Sequence, residues 1–175
     1  MKYLIIILVL LNSFFAIAQE RFSSSEYNFA ITFPNGWDIN TKDDIYVVEA
    51  NKNNFIGISI LTKRLPGLPD SMNISYINKD TLEKIIKEQV RLQYNFSLIL
   101  RSGTGIMDGV LAYYYFVQYS DKVDEFPAKY VSFQYQFIYR RIFYSIFAVC
   151  PASEYENYEK TFNDIYKTFR FIKKL

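Results

Sequence analysis

The sequence predicts an α+β fold, an α/β/α sandwich with a central, mainly antiparallel sheet flanked by helices. The first observation behind this is the stretch 129–150, KYVSFQYQFIYRRIFYSIFAVC, which reads as two long aromatic strands joined at a short basic turn. Val131, Phe133, Tyr135 and Phe137 alternate with Ser132, Gln134 and Gln136, the period of two that sends successive side chains to opposite faces of a strand. The second is the change of pattern after Tyr139-Arg140-Arg141. Phe143, Phe147 and Val149 fall on one face, and Ile142, Tyr144, Ile146 and Ala148 on the other. A strand apolar on both faces is usually buried on both, so each side of the sheet needs a covering layer. The third is a pair of stretches able to supply that cover. Asp80 and Glu83, and again Ser153 and Glu156, have the spacing of a helix N-cap and its N3 partner, each ahead of an amphipathic run.

The elements follow in order. Met1-Lys2, the apolar run from Tyr3 to Phe15 and the small-x-small Ala16-Ile17-Ala18 read as a secretory signal peptide over 1–18, with Gln19 as the new N-terminus. The apolar run is shorter than the ~20 residues a membrane-spanning helix needs; the other reading is an uncleaved anchor. No cysteine follows the run, which excludes a lipoprotein. Subtracting 18 residues from 175 leaves a chain of 157, expected to form a single domain over 19–175 with a core of its own.

Phe29, Ile31 and Phe33 alternate as a first strand, which Pro34-Asn35-Gly36 breaks. Trp37, the single tryptophan, is expected to plug the core over that strand end. Ile45–Ala50 and Phe55–Lys63 read as a hairpin across Asn51 to Asn54. A loop follows, opening at Leu65-Pro66-Gly67 and reaching about Asn78. The helix from Asp80 is expected to run to about Tyr94, with Leu82, Ile85, Ile86, Gln89 and Val90 on one face and Lys84, Lys87, Glu88 and Arg91 in solvent. From Phe96 the chain returns to strand, with Asp108-Gly109 as a hairpin turn into Val110–Tyr119. Ser120 to Ala128 reads as a polar loop. In the last helix, Tyr155, Tyr158, Phe162, Ile165 and Phe169 recur at spacings of three and four as a wide aromatic stripe. A brief strand at Phe169–Ile172 and a solvated Lys173-Lys174 tail end the chain.

Composition excludes several function classes. Removing Lys2 from 20 basic residues leaves 19 against 18 acidic ones, too balanced for a nucleic-acid footprint or an acidic membrane surface. Cys150 is the only cysteine, so no intramolecular disulfide forms, and its place in a buried strand makes it an inert core thiol. The chain has no histidine. That removes Ser-His-Asp and Cys-His nucleophiles, the common neutral-pH base and an ordinary zinc site. Of the carboxylates, Asp43-Asp44 reads as an acidic loop pair. Asp121, Asp124 and Glu125 lack the ligand spacing and glycine of a calcium loop. Gly103-Thr104-Gly105 precedes a hairpin rather than a helix and lacks a third glycine, so it is no phosphate cradle. Asn73-Ile74-Ser75 and Asn95-Phe96-Ser97 are formal glycosylation sequons, of little meaning in a bacterial protein.

The segment Phe29-Ala30-Ile31-Thr32-Phe33-Pro34-Asn35-Gly36-Trp37 resembles the first strand and Pro-x-x-Trp turn of the PsbP/Mog superfamily. Phe55–Leu61, the helix from Asp80, Gly109-Val110-Leu111-Ala112-Tyr113-Tyr114 and the unit from Tyr144 to Phe171 follow in that family's order. The resemblance covers nearly all of 19–175 and consists of structural residues. It implies an α/β/α sandwich and, for function, action through protein contacts. Members include a photosystem II extrinsic subunit, a Ran-binding nuclear protein and bacterial periplasmic or chaperone-like proteins. Their partner-binding residues have no match here, and the metal-binding histidines of the plant branch have no counterpart.

Together these readings give a non-catalytic exported protein, periplasmic or secreted, that acts through contacts with an unidentified protein partner in the bacterial cell envelope. They assign no catalytic, cofactor-binding or metal residue, no cofactor, no nucleic-acid partner and no membrane span after signal cleavage. The alternative is a small-ligand binder, for sugar or lipid, using an aromatic surface drawn from 16 Tyr and 16 Phe. The two separate on whether the tyrosines of 113–119 and 130–139 line an open pocket or pack beneath helices. The loops 64–79 and 120–128 are the expected functional surfaces.

Overall fold

The computed structural model describes residues 19–94, 96–123 and 126–172. In chain order the strands are β1 (Glu20–Ser24), β2 (Phe29–Phe33), β3 (Asp38–Asn40), β4 (Val48–Asn53) and β5 (Ile56–Arg64). Helix α1 (Lys79–Gln93) precedes β6 (Leu98–Met107), β7 (Val110–Val123), β8 (Phe126–Tyr139) and β9 (Ile142–Pro151). Helix α2 (Tyr155–Tyr166) and β10 (Arg170–Phe171) come last. Seven strands form one sheet in the order β3-β4-β5-β9-β8-β7-β6, and β1-β2-β10 form a second. Every pairing is antiparallel. The α+β expectation holds, and a helix packs on each face of the larger sheet.

One face is closed. The alternation in β8 sends Val131, Phe133 and Phe137 into a core with Tyr144, Ile146 and Ala148 of β9. α2 lays Phe162, Ile165 and Tyr166 on it, and β2 adds Phe29, Ile31 and Phe33. Aromatic edges and faces interlock there: Phe137 stacks on Tyr144 at 4.9 Å, and Phe133 meets Phe162 edge-on at 5.1 Å. Two phenols in this layer reach backbone carbonyls, Tyr144 donating to Tyr27 O at 2.7 Å and Tyr166 to Phe133 O at 3.0 Å. Trp37 is 7% exposed and edge-on to Phe162 at 6.3 Å, the plug the sequence predicts.

The other face carries α1, which rests Leu82, Ile86 and Val90 on Tyr113, Tyr115 and Val117 of β7. Here the expected cover is incomplete. Ile85 is 45% exposed and Gln89 also faces solvent, so the apolar stripe is narrower than the sequence pattern suggests. β9's Phe143, Phe147 and Val149, expected to be buried, are only half-buried, because α1 lies over β7 and not over β9.

Four boundaries differ from expectation. The cap of α1 is Asn78, whose side chain accepts from the backbone N–H groups of Asp80 and Thr81; Asp80 lies in the first turn. No side chain caps α2: Ala152–Glu154 form a 3-10 turn that runs into the helix, which removes the role foreseen for Ser153. The upstream hairpin strand starts at Val48 rather than Ile45, because the Asp43 carboxylate holds the N–H groups of Ile45 and Tyr46 at 2.7 and 2.8 Å in a turn. The predicted loop 120–128 is instead the far end of a hairpin, with β7 and β8 paired out to Val123 and Phe126. Pro127 is tolerated because pairing with β9 stops at Tyr130, so its missing N–H faces no neighbour on that side. Asp124 and Glu125 lie outside the described residues.

The two tight turns differ in chemistry. Asp108-Gly109 takes φ of 45° and 84°, as expected of such a pair. Arg140-Arg141 takes φ of 46° and 61° with no glycine, a conformation costing roughly 1–2 kcal/mol per residue.

Candidate functional site

Because α1 covers only part of its face, a groove of about 460 Å³ is left between the C-terminal half of the helix and strands β5, β9 and β8. Strand register builds its floor. Tyr115 of β7 lies opposite Gln134 of β8, which lies opposite Phe147 of β9. One row along, Gln136 lies opposite Ser145, which lies opposite Leu61 of β5. Gln89, Leu92 and Gln93 of α1 form one wall, and Tyr46, its ring 5.3 Å from that of Phe147, forms part of the opposite one.

A polar network runs beneath the helix wall. Tyr115 donates its hydroxyl to Gln134 Oε1 at 2.5 Å, and Gln134 Nε2 donates to Tyr94 Oη at 2.7 Å and to Ser132 Oγ at 3.2 Å. Gln136 Nε2 donates to the Tyr115 hydroxyl at 3.1 Å. Gln134 is 4% exposed and Ser132 1%. Buried amides of this kind persist only when their partners are in place, so the network fixes the floor's shape. Burial raises the Tyr115 and Tyr94 phenols above the ordinary tyrosine value, with Ser132 and Gln134 partly offsetting the rise at Tyr94. Burial, then Glu49 and Asp43, raises Tyr46 too. All three hydroxyls are therefore neutral donors and acceptors at physiological pH. No residue lining the groove carries a charge.

The sequence-predicted sites lie elsewhere. Loop 64–79 contains a 3-10 turn at Ile74–Tyr76, anchored by Ile74 and capped by Asn73, and it borders a separate cavity of about 510 Å³ beside Ile106 and Tyr139. Asp70 in that loop accepts from Arg141 Nε at 2.5 Å, and this bond holds its carboxyl below the usual carboxylate range. Asp43 and Asp44 border a polar cavity of about 490 Å³ with Ser24 and Glu26, but Asp43 is committed to the turn it holds. Gly103-Thr104-Gly105 lies within β6, where a Cβ on Gly103 would come 2.9 Å from the Tyr114 hydroxyl. Glycine there serves a close approach of a ring to an edge strand. Cys150 is fully buried, and burial pushes its thiol up to about 12, as an inert core residue requires. Among the described residues no group of three His, Cys, Asp or Glu side chains could hold a metal ion; two of the three carboxylates considered for calcium lie outside them.

The tyrosines divide. Tyr113 is buried beneath α1 and Tyr166 beneath β8's far face, whereas Tyr115 and Tyr46 border the open groove. Gln134, Gln136 and Ser145 were not foreseen as site residues. Their signal was in the sequence, since an outward strand face bearing amides and hydroxyls instead of charges is unusual for a surface meant only for water.

An antiparallel sheet with a helix on each face and one face left partly open defines a layered α+β scaffold with a groove. The fold is PsbP-like. Of the solved structures, the solution structure of cyanobacterial PsbP (CyanoP) from Synechocystis sp. PCC 6803 superposes with a TM-score of 0.59 at 13% identity, over 89% of this chain and 93% of that one. LpqN of Mycobacterium tuberculosis, described as involved in cell envelope biogenesis, superposes with a TM-score of 0.61 at 9% identity, over 90% and 92%. A protein from Bacteroides thetaiotaomicron superposes with a TM-score of 0.56 at 14% identity, over 89% of this chain but 49% of its own. No protein-family profile matches the sequence, and no curated protein matches it. The likeness is one of fold.

Proposed function

We propose that the protein is a non-catalytic exported component of the bacterial cell envelope that acts through protein contacts, with 1–18 as a cleaved signal peptide and 19–175 as one working domain. The observation that carries this is on α1. Ile85 and Leu92, two turns apart on one side of the helix, are 45% and 72% exposed beside the groove. Burying both against a partner protein would remove that exposed apolar area from water. The likeness to LpqN and CyanoP and the lack of any histidine support the reading. So does the fact that no helix among the described residues is long and apolar enough to cross a membrane. A photo-crosslinking residue at Ile85, introduced in the producing bacterium, is expected to capture one defined envelope protein, and Leu92→Glu to abolish the adduct without lowering the melting temperature. Adducts unaffected by Leu92→Glu, or none at all, would count against the reading.

A second reading is that the groove itself takes a small ligand, sugar or lipid. It is favoured by the half-buried rings of Phe143, Phe147 and Tyr46 beside a preorganised amide floor.

A further inference from the structure

The groove narrows that second reading to a ligand class. We infer that it is a site for an uncharged saccharide, an inference that rests on the small-ligand reading. Its volume of about 460 Å³ lies within the ~300–1,000 Å³ of small-ligand sites.

Charge is the first discriminator. No lining residue is ionised at neutral pH. Glu49 and Lys63 stand at the flanks of the same sheet face, opposite Ser59 and Phe143, and Glu49 already accepts from the Ser59 hydroxyl at 3.3 Å. A phosphate, carboxylate or ammonium ligand would lose hydration at the floor with charged side chains only at its flanks, and such desolvation is costly.

Polarity is the second. Gln134 spends both amide N–H groups within the network and Gln136 one of its two, and Ser145 is 8% exposed at the floor. An acyl chain laid on this floor would leave the Gln136 carbonyl and the Ser145 hydroxyl against methylenes, at ~1–3 kcal/mol for each buried group left unpaired. A sugar ring offers what both halves of the groove need. Its hydroxyl edge can meet Gln136, Ser145 and the wall amides of Gln89 and Gln93, while its C–H face lies on Phe147 and Tyr46.

Backbone geometry is the third. β8 lies between β7 and β9, and β9 between β8 and β5, so at the groove floor both strands already have a hydrogen-bonded neighbour on each side. An extended peptide takes its affinity from main-chain bonds to a sheet edge, and the floor offers none.

The test is titration of the isotopically labelled protein with maltohexaose, cellohexaose, N,N′-diacetylchitobiose and, separately, sodium dodecanoate. The readouts are the side-chain amide signals of Gln134 and Gln136 and the backbone signal of Phe147. At least one saccharide is expected to shift these saturably at about 10 mM or below, within reach of weak millimolar binding. Phe147→Ala and Gln136→Met are expected to weaken that binding by about tenfold or more with the melting temperature retained. Shifts from dodecanoate but from no saccharide would overturn the ligand class and leave the small-ligand reading standing. No groove shift from any probe would overturn both. Saccharide shifts confined to other surfaces would overturn the site.

Discussion

The two faces of the seven-stranded sheet are built from the same strands yet do opposite things. Toward α2, β8 and β9 present Phe133, Phe137, Tyr144 and Ile146, and the layer closes into a core in which these side chains are fully buried. Toward α1, the same two strands present Ser132, Gln134, Gln136 and Ser145, and the helix leaves part of the face open. Period-two alternation makes this possible, since each residue added to a strand serves the opposite face from its neighbour. The closed face specifies the fold and the open one is free to carry a site.

Raising the pH attacks both faces at once and is expected to have the largest effect. Burial raises the phenols of Tyr115 on the α1 side and Tyr166 on the α2 side above their ordinary value of 10. A group whose folded pKa is raised contributes stability that is complete below its unfolded pKa and is lost as pH climbs toward the folded one. With no histidine to titrate, the melting temperature is expected to be flat from neutrality to about pH 8. It is expected to slip as pH passes the ordinary thiol value of 9, because burial raises Cys150 too, and to fall steeply above pH 10. Tyrosinate absorbance should rise together with loss of the near-UV circular dichroism. Early, non-cooperative ionisation of all the tyrosines would show that neither face is closed.

Phe133→Ala separates the faces. The ring is fully buried and packs on Phe116, Tyr155 and Phe162, so truncation is expected to cost about 3–5 kcal/mol in urea unfolding. Tyr115→Phe keeps the ring and removes the hydroxyl that joins Gln134 to Gln136. The expected loss is about 1–3 kcal/mol, and the Gln134 side-chain amide signals should broaden as their anchor goes. Asn78→Ala deletes the cap of α1 and is expected to cost about 1 kcal/mol, with exchange protection lost first in that helix. If Asn78→Ala destabilised the protein as much as Phe133→Ala, α1 would be part of the folding core rather than a partial cover.

Much of this was legible in the residues. The alternation of 131–137, the stripe of α2 and the Asp108-Gly109 turn each state one local preference that the fold honours. What escaped depended on partners distant in sequence. The cap of α1 fell to Asn78 because its side chain reaches two free N–H groups, a choice the Asp80/Glu83 spacing does not decide. The 120–128 stretch looked like a loop because Pro127 and its acidic neighbours are poor strand formers; only the early end of β9 shows why Pro127 is harmless. Phe143 and Phe147 looked like core because the sequence cannot say over which strand a helix will lie. The groove comes from that single offset.

Cys150 has a practical consequence. It is the chain's only thiol, it closes β9 opposite Val131, and no part of it meets solvent. A thiol reagent therefore has one target, hidden in the strand pair on which both faces depend. At reagent concentrations that outpace reclosing, the labelling rate equals the rate of the opening that uncovers Cys150. The protein thus contains its own clock for that opening, read by mass spectrometry without an introduced probe.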